Sequence, residues 1–88
     1  MSIAQFADRL EPVFDQAVET GNDDELFASG YLRGHFDLVV AQLELAGEDD
    51  PEELWNALDA ALLKTRDELN PQDQTHVQNM LARLKASA

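Results

Sequence analysis

The run 23–46 constrains the fold of this chain more than any other part of it. Wound as a helix at about 100° per residue, it carries apolar side chains around most of its circumference. Leu32, Phe36, Val39 and Leu43 make one face, and Phe27, Tyr31, Leu38 and Leu45 make another. Arg33, Asp37 and Glu44 fill only a narrow polar strip. Left at the edge of a domain, such a helix would expose apolar surface to water wherever it lacked a neighbour. The run is therefore expected to be the central helix of its domain. Its start is well marked: Asn22 with Glu25 three residues on has the form of a capping box. Asp23, Asp24 and Glu25 suit the positive end of the helix dipole, and Gly47 is the expected terminator.

Three further segments read as helices to pack around it. Over 2–20, Ile3, Phe6, Leu10, Val13, Phe14, Ala17 and Val18 fall on one stripe. Pro12 interrupts this segment at a cost of about 3 kcal/mol in a helix interior. The stripe keeps its phase across Pro12, so one helix kinked there is expected, stopped by Gly21. The segment 51–66 opens with Asp50-Pro51-Glu52-Glu53, a capping residue and then proline at the first helical position. Its stripe is Leu54, Trp55, Leu58, Ala61 and Leu62. The segment 71–86 repeats that start with Asn70-Pro71-Gln72-Asp73 and presents Val77, Met80, Leu81 and Leu84. No stretch alternates with period two, so strands are not expected. Short connections favour antiparallel neighbours, which gives a single all-α domain over 1–88, a compact antiparallel four-helix bundle.

Charge narrows the function classes. Eighteen acidic residues against six basic ones give a net charge of −12. A surface of that sign repels nucleic-acid backbones and anionic lipid, so neither is an expected partner, whereas a basic protein is. The 44% apolar content is too high for an acidic disordered chain. Cysteine is absent, no basic-then-apolar leader begins the chain, and the run Leu38-Val39-Val40-Ala41 is far short of the ~20 residues of a membrane span. A soluble cytoplasmic protein without a cofactor is the expectation. Much of the charge needs no partner at all. Acidic residues gather at expected helix starts, and Lys64, Arg66, Arg83 and Lys85 at expected helix ends, as the macrodipole favours.

Two groups of residues are not absorbed in that way. Asp8, Glu11, Asp15 and Glu19 form an acidic stripe on the outer side of the first helix, with no basic residue three or four positions away on that face. The stripe is a candidate docking surface for a basic partner. The second group is the block 23–35, which holds the only varied polar chemistry in the chain. Its candidate interaction surface is Asp23, Asp24, Tyr31, Arg33 and His35, since tyrosine and arginine are frequent binding hot spots. Within the block, Gly30 and Gly34 each cost a helix interior roughly 1 kcal/mol relative to alanine. Helix packing is the expected compensation, with a neighbouring backbone crossing close at these two positions. A hinge at Gly30 and a self-association face are the alternatives, and Gly-x-x-x-Gly is a weak dimer signal in a soluble helix.

Enzyme templates fail in turn: there is no P-loop, dinucleotide-binding glycine run, nucleophile elbow or His-Glu-x-x-His. His35 and His76 stand alone in their helices, and Ser29 lies too far round the helix axis to use His35 as a base. No catalytic or metal-binding residues are assigned. A non-enzymatic protein–protein interaction module is the first expectation. A structural homodimer through the Gly30/Gly34 edge and an enzyme or metal-binding protein using His35 with nearby carboxylates are the rivals. The oligomeric expectation is a monomer or weak homodimer.

The block Asp23-Asp24-Glu25-Leu26-Phe27-Ala28-Ser29-Gly30-Tyr31-Leu32-Arg33-Gly34-His35 resembles the signature of the YfcL-like family, small acidic bacterial proteins of unknown function. Leu69-Asn70-Pro71-Gln72-Asp73-Gln74 resembles the start of that family's last helix. The resemblance spans nearly the whole chain and is most specific in the first block. It implies a small helical cytoplasmic protein and brings no activity, cofactor or catalytic residue with it.

A net charge of −12 has a physical consequence. Screening of exposed like charges should stabilise the fold, so the melting temperature is expected to rise between low and moderate salt. Thermal unfolding followed by circular dichroism checks this; a falling melting temperature would show that attractive ion pairs dominate instead.

Overall fold

Helix starts lie where side chains can satisfy otherwise unpaired backbone N–H groups. In the computed structural model, which describes residues 1–88, α1 (Ile3–Asp8), α2 (Glu11–Thr20), α3 (Asp23–Leu45), α4 (Pro51–Thr65) and α5 (Pro71–Ala86) follow one another, with a 3-10 turn at Arg66–Glu68 before α5. Ser2 and Gln5 form a capping box on α1, and Asn22 and Glu25 form one on α3. Asp50 accepts from the Glu52 N–H at 3.0 Å and Asn70 from the Asp73 N–H at 2.8 Å, each ahead of a proline in the first helical turn. Gly47, at φ +71°, closes α3. Its N–H donates to Glu44 O and the Glu48 N–H donates to Leu43 O, the bond pair of a Schellman motif.

The kink of the first helix is present and its form is now defined. The hydrogen-bond ladder is interrupted over Arg9 and Leu10, yet both residues keep right-handed helical dihedrals. Pro12 has no N–H to donate, so the turn before it tightens. Leu10 N–H reaches Ala7 O and Val13 N–H reaches Leu10 O, both at 3.0 Å. α1 and α2 are thus the two arms of one bent helix. The chain contains no strand and is an all-α bundle. No helix is long and apolar enough to cross a membrane.

One face of α3 organises the core, and α1, α2, α4 and α5 all pack against this helix. Leu32, Phe36 and Val39 are buried on it. Phe14 from α2 lies against Phe36 with ring centroids 5.4 Å apart. Ile3, Phe6 and Leu10 close the core from the first helix, Leu54, Leu58 and Leu62 from α4, and Val77, Met80, Leu81 and Leu84 from α5. Trp55 half-covers the α1–α4 contact, edge-on to Phe6 at 5.9 Å. The Asp49 carboxylate accepts from the Ile3 N–H at 3.3 Å, tying the start of α1 to the α3–α4 connection.

The second apolar face of α3 is covered only at Tyr31, which is half-buried, contrary to the expectation from sequence. The molecule measures 35 × 28 × 18 Å. Its shortest dimension holds about two layers of helix at ~10 Å each, so α3 has neighbours on one side only. Phe27, Leu38 and Leu45 are 43%, 58% and 91% exposed. Gly30 and Gly34 belong to this outward side, and a Cβ built on either would meet nothing within 4 Å. The expected helix packing at Gly30 and Gly34 is therefore corrected: no backbone crosses there, because all the packed helices lie on the opposite face.

Open space at both glycines makes alanine favourable. Gly30→Ala and Gly34→Ala are each expected to stabilise the monomer by about 0.5–1 kcal/mol through reduced unfolded-state entropy. Urea unfolding at low protein concentration measures it, and destabilisation would mean that something meets these positions in solution.

Candidate functional site

The block 23–35 is divided by the helix that carries it. Asp23 is exposed in the first turn of α3. Asp24 lies 3.5 Å from His76 Nε2 on α5, and its neighbour Glu25 lies 3.6 Å from Arg83. Tyr31 is half-buried and faces the end of α4, where its hydroxyl donates to Thr65 Oγ1 at 2.9 Å. Thr65 in turn donates to Ala61 O at 3.2 Å and stands 3.5 Å from His35 Nε2. The rings of Phe27, Tyr31 and His35 form a ladder one turn apart, with centroid separations of 6.0 and 4.9 Å.

Arg33 points the other way, onto α2. Its guanidinium forms an ion pair with Glu11, lies 3.8 Å from Asp15, and covers the Phe14 ring at 5.5 Å from the centroid. Tyr31 and Arg33 are thus satisfied by different helices. Asp23, Asp24, Tyr31, Arg33 and His35 do not share one surface. The same contact corrects the reading of the acidic stripe as unrelieved. Glu11 and Asp15 receive a cation from 22 and 18 positions away in the chain, whereas Asp8 and Glu19 make no ion pair. Local spacing along the first helix could not show this, because the partner arrives through tertiary packing.

His35 has Thr65 and Tyr31 for neighbours and no carboxylate within ion-pair distance. Ser29 is buried at 1% exposure. No three His, Asp or Glu side chains converge to hold a metal ion.

What the structure does assemble is a groove between α1 and α3 of about 570 Å³. Buried Ala7, Phe36 and Val40 form its floor. One wall carries Ala4, Asp8 and Glu11, and the other carries Asp37, Ala41, Glu44 and Leu45. It contains no basic side chain. Arg33 pairs with Glu11, while Asp8, Asp37 and Glu44 have no cationic partner. Beyond the wall the apolar surface continues, through Leu45, onto the outward face of α3 with Leu38.

The sequence pointed to one wall of this site, through Asp8 and Glu11 of the acidic stripe, and missed the other. Asp37 and Glu44 are assigned from sequence to a narrow polar strip, and Ala4 and Ala7 carry no assigned role. The available signal was the presence of small residues on two helices at one-turn spacing. Small side chains leave a trough where two helices meet, and the helical period puts Asp37 and Glu44 on one side of Ala41.

Residues 4–86 match the model of the YfcL protein family, so the chain belongs to that family. It is similar to uncharacterized protein YfcL of Escherichia coli (strain K12), with 40% identity over 80 residues covering 89% of this chain and 87% of the relative. No solved structure matches it.

The Arg33 contact is about two-thirds buried at both ends, with side-chain exposures of 38% and 34% for Arg33 and Glu11. Arg33→Ala is expected to destabilise the fold by about 1 kcal/mol, combining the lost ion pair with the lost cover over Phe14. A double-mutant cycle of Arg33→Ala with Glu11→Ala in urea should give a coupling of about 0.5–1 kcal/mol that shrinks with added salt. Zero coupling at low salt would make the contact incidental.

Proposed function

We propose that this protein is a non-enzymatic protein–protein interaction module of the cytoplasm whose partner-facing surface is the acidic groove between α1 and α3. The observation that carries the reading is an apolar floor flanked on both walls by carboxylates that the fold leaves unpaired. Stability alone gives no reason for such an arrangement. Asp8, Asp37 and Glu44 are exposed carboxylates of like sign around one trough, so they repel one another weakly through water. A basic partner would turn each of these repulsions into an attraction while covering Ala41 and Leu45. The partner is thus a protein segment bearing Lys or Arg beside apolar side chains.

A second reading is supported by the outward face of α3. Phe27, Gly30, Gly34, Leu38, Ala41 and Leu45 lie within about 80° of one another on the helix and carry no charge, as a self-association face would. Against it stands the mutual repulsion of two chains each carrying −12. Sedimentation equilibrium separates the two readings, and a mass that stays monomeric up to high protein concentration ends the second.

The first reading is tested by capture from the native host with wild type, Asp37→Lys/Glu44→Lys and Tyr31→Ala, all three verified as folded by circular dichroism. A partner retained by wild type and Tyr31→Ala but lost with the groove variant is expected. A partner indifferent to the groove charges would overturn it.

A further inference from the structure

We infer that the α1–α3 groove is shaped to receive one basic amphipathic helix of another protein, laid along the trough as a third helix beside α1 and α3. This inference rests on the interaction reading above and adds the form and chemistry of what binds.

Form comes first. An extended peptide adds to a sheet edge or, as a polyproline helix, docks on exposed aromatic rings; this chain has no strand, and the one aromatic residue of the trough, Phe36, is buried at 1% exposure. A trough between two helices instead presents small residues at helical spacing, into which the ridges of a further helix can settle. Ala4 and Ala7 lie one turn apart on α1, and Ala41 and Leu45 lie one turn apart on α3. The wall from Phe36 to Leu45 runs about 14 Å along α3, enough to seat two to three turns of helix. Leu45 at 91% exposure is the largest apolar side chain at the mouth and would be covered by an incoming apolar stripe.

Chemistry follows from the walls. Asp8 faces the trough from α1, and Asp37 and Glu44 face it from α3, so both flanks of a bound helix would meet carboxylates. The complementary ligand is a helix with an apolar stripe bordered by Lys or Arg on each side. A second copy of this chain does not fit that description. Of its six basic residues, Arg33, Arg66, Arg83 and Lys85 are already in ion pairs, leaving only Arg9 and Lys64, on two different helical segments. The Arg33–Glu11 pair has a positioning role here. It ties α2 to α3 beside the trough and leaves Asp8, Asp37 and Glu44 as its unpaired charges.

The test is a selection that does not presuppose the answer. A displayed library of random peptides is panned against the full chain, and enriched peptides are titrated into isotopically labelled protein while amide chemical shifts are followed. The expected enrichment is for helical sequences with apolar residues at i, i+3 or i+4 and i+7, flanked by Lys or Arg. Shifts should cluster at Ala7, Asp8, Asp37, Ala41 and Glu44. Ala41→Lys, at an exposed helical position where the new side chain suits Asp37 one turn back, should fold normally and bind about tenfold or more weakly. Tyr31→Ala should bind as wild type does. Enriched peptides that are extended or lack basic residues would overturn the inference, as would shifts elsewhere or affinity unchanged by Ala41→Lys. Should the library yield no groove ligand while the native partner is still lost with Asp37→Lys/Glu44→Lys, the helix inference fails and the interaction reading stands. Should that partner also be indifferent to the groove charges, both fall.

Discussion

Everything in this fold depends on covering one face of α3. Each of the other helices reaches the core by packing on Leu32, Phe36, Val39 or their neighbours, and the Phe14–Phe36 contact lies at the centre of that packing. A chain of 88 residues can supply only enough helix for two layers. The consequence is an asymmetric central helix, desolvated on one side and bare on the other. Its bare side is as apolar as many buried ones. An isolated exposed leucine needs no explanation, but Phe27, Leu38 and Leu45 in line along one helix form a surface that a monomer gains nothing by keeping.

Helix existence, helix starts and family membership were legible in the sequence because each is a local property. Asn22 with Glu25, Asp50 before Pro51 and Asn70 before Pro71 act over three or four residues, and the side chains make the bonds those patterns imply. The all-α architecture and the central place of α3 followed from periodicity for the same reason. What periodicity could not supply was the side from which neighbours approach. Two apolar faces on one helix look alike along the chain. Which one is buried depends on how many layers the chain can afford and on where α1, α4 and α5 find complementary stripes.

The candidate site shows the same boundary between local and long-range information. Arg33 and Glu11 lie 22 positions apart, so the acidic stripe seemed unrelieved until α2 and α3 were brought together. Tyr31 and Arg33 sit two residues apart in the chain and are bound to opposite neighbours. Close sequence neighbours on a helix point about 100° apart per residue, so a chemically varied block is scattered by the very element that makes it recognisable. The groove, conversely, joins Asp8 and Glu11 of the acidic stripe to Asp37 and Glu44 of α3, a meeting that only tertiary packing brings about.

The distribution of charge then argues for what the groove does. Four of the six basic residues are committed to internal carboxylates, including Arg83 with Glu25 and Lys85 with Asp59, the latter beside Trp55. The contacts of Arg33, Arg83 and Lys85 each tie one helix to another, whereas Arg66 meets only its exposed chain neighbour Asp67. The cations therefore serve the fold, and the carboxylates left over determine the surface. A surplus spread evenly would only keep the protein soluble. In the α1–α3 groove the surplus is instead set on exposed carboxylates beside the exposed apolar Ala41 and Leu45, where an opposite charge brought with a dry contact would gain strength as water is excluded. Exposed Leu45 and the unpaired carboxylates are each left to water in a lone monomer, and a single ligand of basic amphipathic form would cover the first and pair the second.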